Sequence, residues 1–97
     1  MAWNRKNLSR DVFLGENDIR KILAITAPGE CLMNEETGEL NNSAFLTIAG
    51  PKGGSFRMFL PEWFWNQYAA NIAVGDGIAN GGWVAGKFII PDFYEAA

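Results

Sequence analysis

A strand pattern leads directly into a helix pattern near the middle of the chain, at residues 55–73. Apolar residues take alternate positions from Ser55 to Leu60, which is the period of a β-strand with one face on the core. Pro61 follows at the first turn of a helix, where proline is well tolerated. The spacing then predicts a helix over 61–73 with a broad core-facing side. That side consists of Phe64, Trp65, Tyr68, Ala69 and Ile72.

The same two patterns leave several large side chains off the core. On the strand, Phe56 and Met58 are assigned to the core face, which puts Arg57 and Phe59 on the other face. On the helix, Trp63 falls opposite the core-facing side. These side chains are therefore predicted to be exposed, and they are the first candidates for contact with a ligand.

A hairpin is predicted in front of this strand. Residues 44–49 form a clear strand candidate, and residues 50–54 are rich in the glycine and proline that turns require. Lys52 would lie at the tip of that hairpin. Residues 17–27 are ambiguous, because their apolar spacing fits either a helix stripe or a buried strand.

The C-terminal third is predicted to contain a glycine-rich loop at 75–82 and one strand at 83–90. In that strand Trp83 and Lys87 share one face. The opposite, core-facing side has Val84, Phe88 and Ile90. Pro91 ends the strand, and residues 92–97 read as a short acidic and aromatic tail.

These elements predict an α+β fold, a small antiparallel β-sheet or an OB-like partial barrel with one main α-helix. The OB-like order needs one strand from residues 20–34 and a fifth strand after Pro91, for which the tail is short. Ninety-seven residues make a single domain over 1–97. Residues 1–9 are predicted to be a loosely held basic arm.

Charge is unevenly distributed along the chain, whose formal net charge is −3. Residues 1–21 have five cations against three anions, whereas residues 22–97 have three cations against eight anions. One interpretation is ordinary surface scatter. The other is a basic N-terminal segment that meets phosphate or an acidic partner.

The chain lacks the residues that most catalytic and metal sites use. It has no histidine, so the commonest general base and metal ligand is missing, and Cys31 is the only cysteine. The carboxylates of Glu35, Glu36 and Glu39 do not have calcium-loop spacing and read as a solvated turn. No enzyme, metal or cofactor is predicted. With no apolar segment for a signal peptide or membrane span and no possible intrachain disulfide, a cytoplasmic location is expected.

A binding protein is the remaining prediction. Its candidate binding residues are Lys52, Arg57, Phe59, Trp63, Trp83 and Lys87. Aromatic platforms beside cations suit single-stranded DNA or RNA, which is the first hypothesis. The alternative is an interaction or inhibitor module that binds a larger protein through exposed tryptophans and an acidic face. Self-association as a homodimer is a third possibility, and burial of these rings beneath the N-terminal segment is a fourth.

The segment Phe-Arg-Met-Phe-Leu-Pro-Glu-Trp-Phe, followed by a helix that contains tyrosine, resembles small viral accessory proteins in a general way. This resemblance names no family and implies no site residues.

Overall fold

The computed structural model describes residues 3–6, 19–30, 32–33, 40–41 and 43–97. The strands within them are β1 (Trp3–Lys6), β2 (Arg20–Thr26), β3 (Leu32–Met33), β4 (Leu40–Asn41), β5 (Phe45–Ala49), β6 (Ser55–Phe59), β7 (Gly77–Ala79), β8 (Gly82–Val84), β9 (Lys87–Ile89) and β10 (Asp92–Ala96). The helix α1 (Glu62–Tyr68) continues into a 3-10 turn at Ala69–Asn71.

Six strands form one antiparallel sheet in the order β1-β10-β7-β2-β5-β6, and β3-β4 and β8-β9 form separate two-stranded hairpins. The predicted α+β class, an antiparallel sheet with one main helix, is therefore confirmed. β2 pairs with both β5 and β7, and α1 lies between β6 and β7 in the chain. This is the order expected of an OB-like partial barrel. The barrel is not closed, because β6 and β1 lie at opposite edges of the sheet.

The ambiguity at residues 17–27 is resolved in favour of a strand, since β2 occupies Arg20–Thr26. Ile22 is fully buried between its two neighbouring strands and faces Ile48 of β5. The pairing with β5 shifts between Ile22 and Ala24, so Leu23 is the extra residue of a bulge and is exposed. Residues 17 and 18 lie outside the described part of the chain.

The helix packs by the predicted side. Phe64, Tyr68 and Ile72 are buried, and Trp63 is exposed on the opposite side. The α-helical part ends at Tyr68, earlier than the predicted 73, and a 3-10 turn carries the chain to Asn71. The buried core consists of Ile22, Ala44, Leu46, Ile48, Met58, Leu60, Phe64, Tyr68, Ile72, Ile78 and Phe93.

The predicted strand at 83–90 is wrong in one respect, because the chain reverses inside it. Ala85 and Gly86 have φ values of 50° and 78° and connect β8 to β9 as a two-residue hairpin turn. Two successive positive φ values are characteristic of a type I′ turn. Trp83 therefore pairs with Phe88, and Lys87 pairs with Val84. Since alternate positions point to opposite faces, Trp83 and Lys87 do not share a face.

The C-terminal third also contains β7, which was not predicted, and β10, which only the OB-like alternative required. β7 lies in the glycine-rich segment, where a Cβ on Gly77 would collide with the Ile19 side chain and approach the Trp3 ring within 3.2–3.3 Å. A larger residue there would force the Ile19 side chain to shift, so close packing favours glycine in that strand. β10 is formed by the supposed tail, and its Phe93 and Tyr94 are fully buried. It supplies the fifth strand after Pro91 that the OB-like order needs.

The strand β1 lies within the predicted basic arm. It pairs with β10 along its whole length, from Trp3 opposite Ala96 to Lys6 opposite Phe93. Residues 1–2 and 7–9 of that arm lie outside the described residues. The N-terminal strand is thus an edge of the main sheet, and its cations have partners within the fold.

Candidate ligand-binding surface

Four aromatic residues form a connected surface, here called the aromatic patch: Phe59, Trp63, Trp83 and Phe88. The ring of Phe88 lies 6.1 Å from that of Trp63 and 5.3 Å from that of Trp83, with edge-to-face geometry in both pairs. The Trp83 indole Nε1 donates a hydrogen bond of 2.5 Å to the backbone carbonyl of Phe59. The rings of Trp63 and Trp83 are therefore connected through Phe88, and Trp83 also contacts the backbone of Phe59.

Two unrelated elements hold the tryptophans of this patch. Trp63 is on the outer side of the first turn of α1, and Trp83 is in β8, opposite Phe88 of β9. Phe88 is half-buried and also lies 5.2 Å from the core ring of Phe64. About half of each tryptophan remains exposed, 50% for Trp63 and 51% for Trp83. The patch is thus anchored to the core at Phe88 and open to ligand at both indoles.

The face of β5 and β6 that points away from the core, here called the outer face, adjoins the patch. Phe45 of β5 is opposite Phe59 of β6, and their rings are 5.3 Å apart. The guanidinium of Arg57 lies over the Phe45 ring, 5.1 Å from its centre, at a distance suited to a cation–π contact. The outer face therefore presents a cation and an exposed ring, Phe59, side by side.

The two predicted lysines lie at turns on either side of this surface. Lys52 is exposed at the tip of the β5–β6 hairpin, as predicted. Lys87 is exposed at the start of β9, but it lies on the hairpin face opposite Trp83. All six predicted residues are thus exposed. Trp63 and Trp83 are brought together through Phe88, and Trp83 contacts the backbone of Phe59, whereas both lysines lie at turns.

The N-terminal cations are engaged inside the fold. Arg5 Nη2 lies 3.3 Å from Asp92 Oδ1, and Lys6 Nζ lies 2.6 Å from Asp76 Oδ2. Both aspartates are buried. The sequence suggested an acidic partner for the basic segment. For Arg5 and Lys6, that partner is provided by Asp92 and Asp76 of the same chain.

Sequence reasoning missed several exposed apolar residues, three of which lie on β6 and the β8–β9 hairpin. Phe56 and Val84 were assigned to the core, but their exposed fractions are 48% and 57%. Ile89, on the same hairpin face as Val84, is also exposed. A period of two shows which residues share a face, but it does not show whether another element covers that face.

Two concave regions lie beside these elements. One, of about 420 Å³, lies between the start of α1 and the residues before β5, and it is lined by Pro28, Ser43, Ala44, Leu60, Glu62, Trp65 and Asn66. The other, of about 170 Å³, is at the open end of the barrel. It is lined by Arg20, Ile48, Phe56, Met58, Ile78, Ala79, Asn80 and Gly81.

The described residues bring no three histidine, cysteine, aspartate or glutamate side chains together in a way that suits a metal ion. Within the same residues, the helices are all too short or too polar to cross a membrane. No family model, curated protein or solved structure matches the chain.

Proposed function

We propose that this chain is a non-catalytic protein that binds single-stranded nucleic acid on the aromatic patch and the outer face of β6. The observation that carries the proposal is the hydrogen bond from Trp83 to the carbonyl of Phe59, two residues after Arg57. It holds the exposed ring of Trp83 beside the end of the strand that presents the ring of Phe59 and the cation of Arg57. Single-strand binders use this combination, because bases stack on aromatic rings while cations follow the phosphates.

The position of these residues in the fold supports the same ligand. OB-like barrels bind oligonucleotides on their second and third strands and on the loops that follow the first and fourth. Counted without β1 and the two small hairpins, the second and third strands here are β5 and β6, and the fourth is β7. The loop after the fourth strand contains the β8–β9 hairpin, which presents Trp83.

The charges set the expected character of binding. The outer face of β6 presents Arg57, and Lys52 is exposed at the tip of the same hairpin. If both contact phosphates, the logarithm of the affinity should fall with the logarithm of salt concentration with a slope of about −1.4. Stacking should supply ~1–3 kcal/mol for each base. The affinity is therefore expected to be moderate, and base stacking should contribute more to it than phosphate contacts.

The proposal is tested by titrating the full chain with an oligothymidine of about 12 nucleotides at low salt, a length within the range that one OB-like barrel occupies. Tryptophan fluorescence should be quenched on binding. Trp83→Ala removes a stacking platform, so the dissociation constant should rise about 5- to 150-fold. Arg57→Ala should weaken binding and reduce the salt dependence by about one phosphate contact.

The matched control is Lys21→Ala, which removes an exposed cation on β2, away from the patch. It should leave the affinity nearly unchanged. Circular dichroism checks that each variant is folded. Unchanged tryptophan fluorescence at saturating oligonucleotide, with no mobility shift, would rule the proposal out.

A second candidate function is binding of a protein partner, and one observation favours it. The hairpin face opposite Trp83 exposes Val84 and Ile89, which are aliphatic and unsuited to contact with phosphates. Aromatic and aliphatic side chains together are typical of the desolvated centre of a protein interface. A protein partner would therefore use both faces of the β8–β9 hairpin.

The two candidates are separated by a double variant, Val84→Ser with Ile89→Ser. Oligonucleotide binding to the patch should be unaffected by these changes, because both residues lie on the other hairpin face. Association with a protein partner, measured by cross-linking of the purified complex, should be lost. Trp63→Ala should weaken both kinds of binding, so it does not distinguish them.

A further inference from the structure

The hydrogen-bond register of β5 and β6 shows which backbone groups of β6 point outward. Leu60 N–H donates to the Ala44 carbonyl at 2.8 Å, and Gly50 N–H donates to the Gly54 carbonyl at 3.1 Å. The pairing between these two points has no shift. In an antiparallel ladder, bonded and non-bonded pairs alternate. The even-numbered residues of β6 therefore bond to β5.

The odd-numbered residues Ser55, Arg57 and Phe59 consequently direct their N–H and C=O groups away from the sheet. The Phe59 carbonyl accepts the indole of Trp83, which agrees with that assignment. β6 is the last strand of the six-stranded sheet. Among the described residues, the outward backbone groups of Ser55 and Arg57 thus have no strand partner.

This edge has few of the features that usually prevent strands from pairing. Natural edge strands are protected by proline, bulges or inward-pointing charges, or by a covering element. β6 has a regular register and a single charged side chain, Arg57. Phe56, on the other face of the strand, is 48% exposed. An exposed aromatic beside these outward backbone groups makes the edge suited to pairing with another strand.

We propose that two copies of this chain pair through β6, antiparallel, about a twofold axis at Phe56. In this register Arg57 of each copy lies opposite Ser55 of the other, and the two Phe56 side chains are adjacent. The outward groups of Ser55 and Arg57 then form four hydrogen bonds. The alternative twofold register, centred on Arg57, would place two guanidinium groups opposite each other, which is unfavourable.

The hydrogen bond from Trp83 sets the length of this ladder, because the Phe59 carbonyl is already occupied. The residue opposite Phe59 in the proposed register is Gly53, which lies in the turn before β6, so the partner's strand ends before it reaches the indole. A four-bond contact is small compared with stable interfaces, so the dimer should dissociate on dilution. This pairing does not depend on the proposed nucleic-acid function, although it would join the two outer faces into one surface.

The first test compares Arg57→Pro with Arg57→Ala by sedimentation velocity over a range of concentrations. Proline removes the outward N–H of residue 57 and blocks the edge, but it breaks no hydrogen bond to β5. Alanine keeps the N–H and is the matched control. The wild type and Arg57→Ala should approach the mass of two chains at high concentration, whereas Arg57→Pro should remain at one. A wild type that stays monomeric, or an Arg57→Pro variant that associates equally well, would refute the pairing.

The second test determines the register, and it does not require the proline variant to fold. In a Cys31→Ser background, Phe56→Cys and Arg57→Cys are each incubated with oxidised glutathione. At a non-hydrogen-bonded twofold pair the Cα atoms are about 4.5 Å apart, within the range for a disulfide. Phe56→Cys should therefore form linked dimers several-fold faster than Arg57→Cys. Equal rates, or a faster Arg57→Cys, would contradict the axis at Phe56.

Discussion

The indole of Trp83 donates a 2.5 Å hydrogen bond to the backbone carbonyl of Phe59. Phe59 ends the edge strand of the main sheet, and Trp83 belongs to a hairpin that is not part of that sheet. The bond satisfies a carbonyl that points away from β5, and it fixes the hairpin beside the end of β6. The position of an exposed ring is therefore determined by a backbone group.

Replacing Trp83 by phenylalanine tests this bond, because the ring is retained while the N–H donor is lost. The free energy of unfolding should fall by about 1 kcal/mol, the usual net contribution of one hydrogen bond. Urea denaturation should show a lower midpoint with an unchanged slope. Trp63→Phe is the matched control, since no hydrogen bond from its indole occurs among the described residues. Equal losses in the two variants would argue against a stabilising role for the bond.

Two neighbouring residues of α1 should respond very differently to truncation. Phe64 is fully buried and packs against the rings of Tyr68, Phe88 and Phe93, so Phe64→Ala should cost about 3–5 kcal/mol. Trp63→Ala removes a half-exposed ring and its edge contacts, which should cost about 1 kcal/mol. Thermal unfolding of both variants measures the difference. A Trp63 variant as unstable as the Phe64 variant would show that Trp63 belongs to the core.

The ion pair between Lys6 and Asp76 should contribute to stability. Asp76 Oδ2 accepts hydrogen bonds from Lys6 Nζ at 2.6 Å and from the Ala73 N–H at 2.8 Å, and the side chains are only 17% and 9% exposed for Lys6 and Asp76. Asp76→Asn leaves a largely buried ammonium without its counter-ion, so the loss should be about 3 kcal/mol. Glu95→Gln, at an exposed position of β10, is the control and should have little effect. Chemical denaturation measures both.

The turn between β8 and β9 should be open to improvement. Ala85 has a φ of 50°, a conformation that costs a non-glycine residue about 1–2 kcal/mol. Asparagine adopts it more readily and favours this turn when glycine follows. Ala85→Asn should therefore raise the melting temperature by several degrees, which corresponds to about 0.5–1 kcal/mol. Ala85→Val should lower it, because a branched side chain tolerates this conformation poorly. If Ala85→Val melted at a higher temperature than Ala85→Asn, the backbone at residue 85 would not be strained.

The sequence predicts well the segments in which apolar residues recur with a clear strand or helix period. The alternation in β6 and the helical spacing of Phe64, Tyr68 and Ile72 depend only on which residues are apolar. The errors have local causes. The turn at Ala85 lacks the usual asparagine, so β8 and β9 look like one strand. β7 was not predicted, because the reason for its Gly77 lies in tertiary packing. The side chains of Trp3 and Ile19 lie close beside it, and the local sequence does not show this.

The sequence predicted which residues would belong to the candidate site, but not how they would be arranged on the surface. Phe59, Trp63 and Trp83 follow from the patterns, since each falls on the side away from the core. Their connection could not be predicted, because it runs through the half-buried ring of Phe88 and a backbone carbonyl. Lys87 was assigned to the face of Trp83 because residues 83–90 were treated as one continuous strand. The turn at Ala85 and Gly86 instead places Lys87 on the opposite face of the hairpin.

The pairing of β1 with β10 brings two distant parts of the chain together, with Trp3 opposite Ala96. Partners in an antiparallel ladder are only about 4.5–5.5 Å apart at Cα. A short linker could therefore join these two ends, and the chain could be opened instead at the exposed glycine-rich tip around Lys52. Such a circular permutant would retain every strand of the sheet. It would place both new termini at the end of β5 and β6 remote from the helix, where a label or fusion partner could be attached.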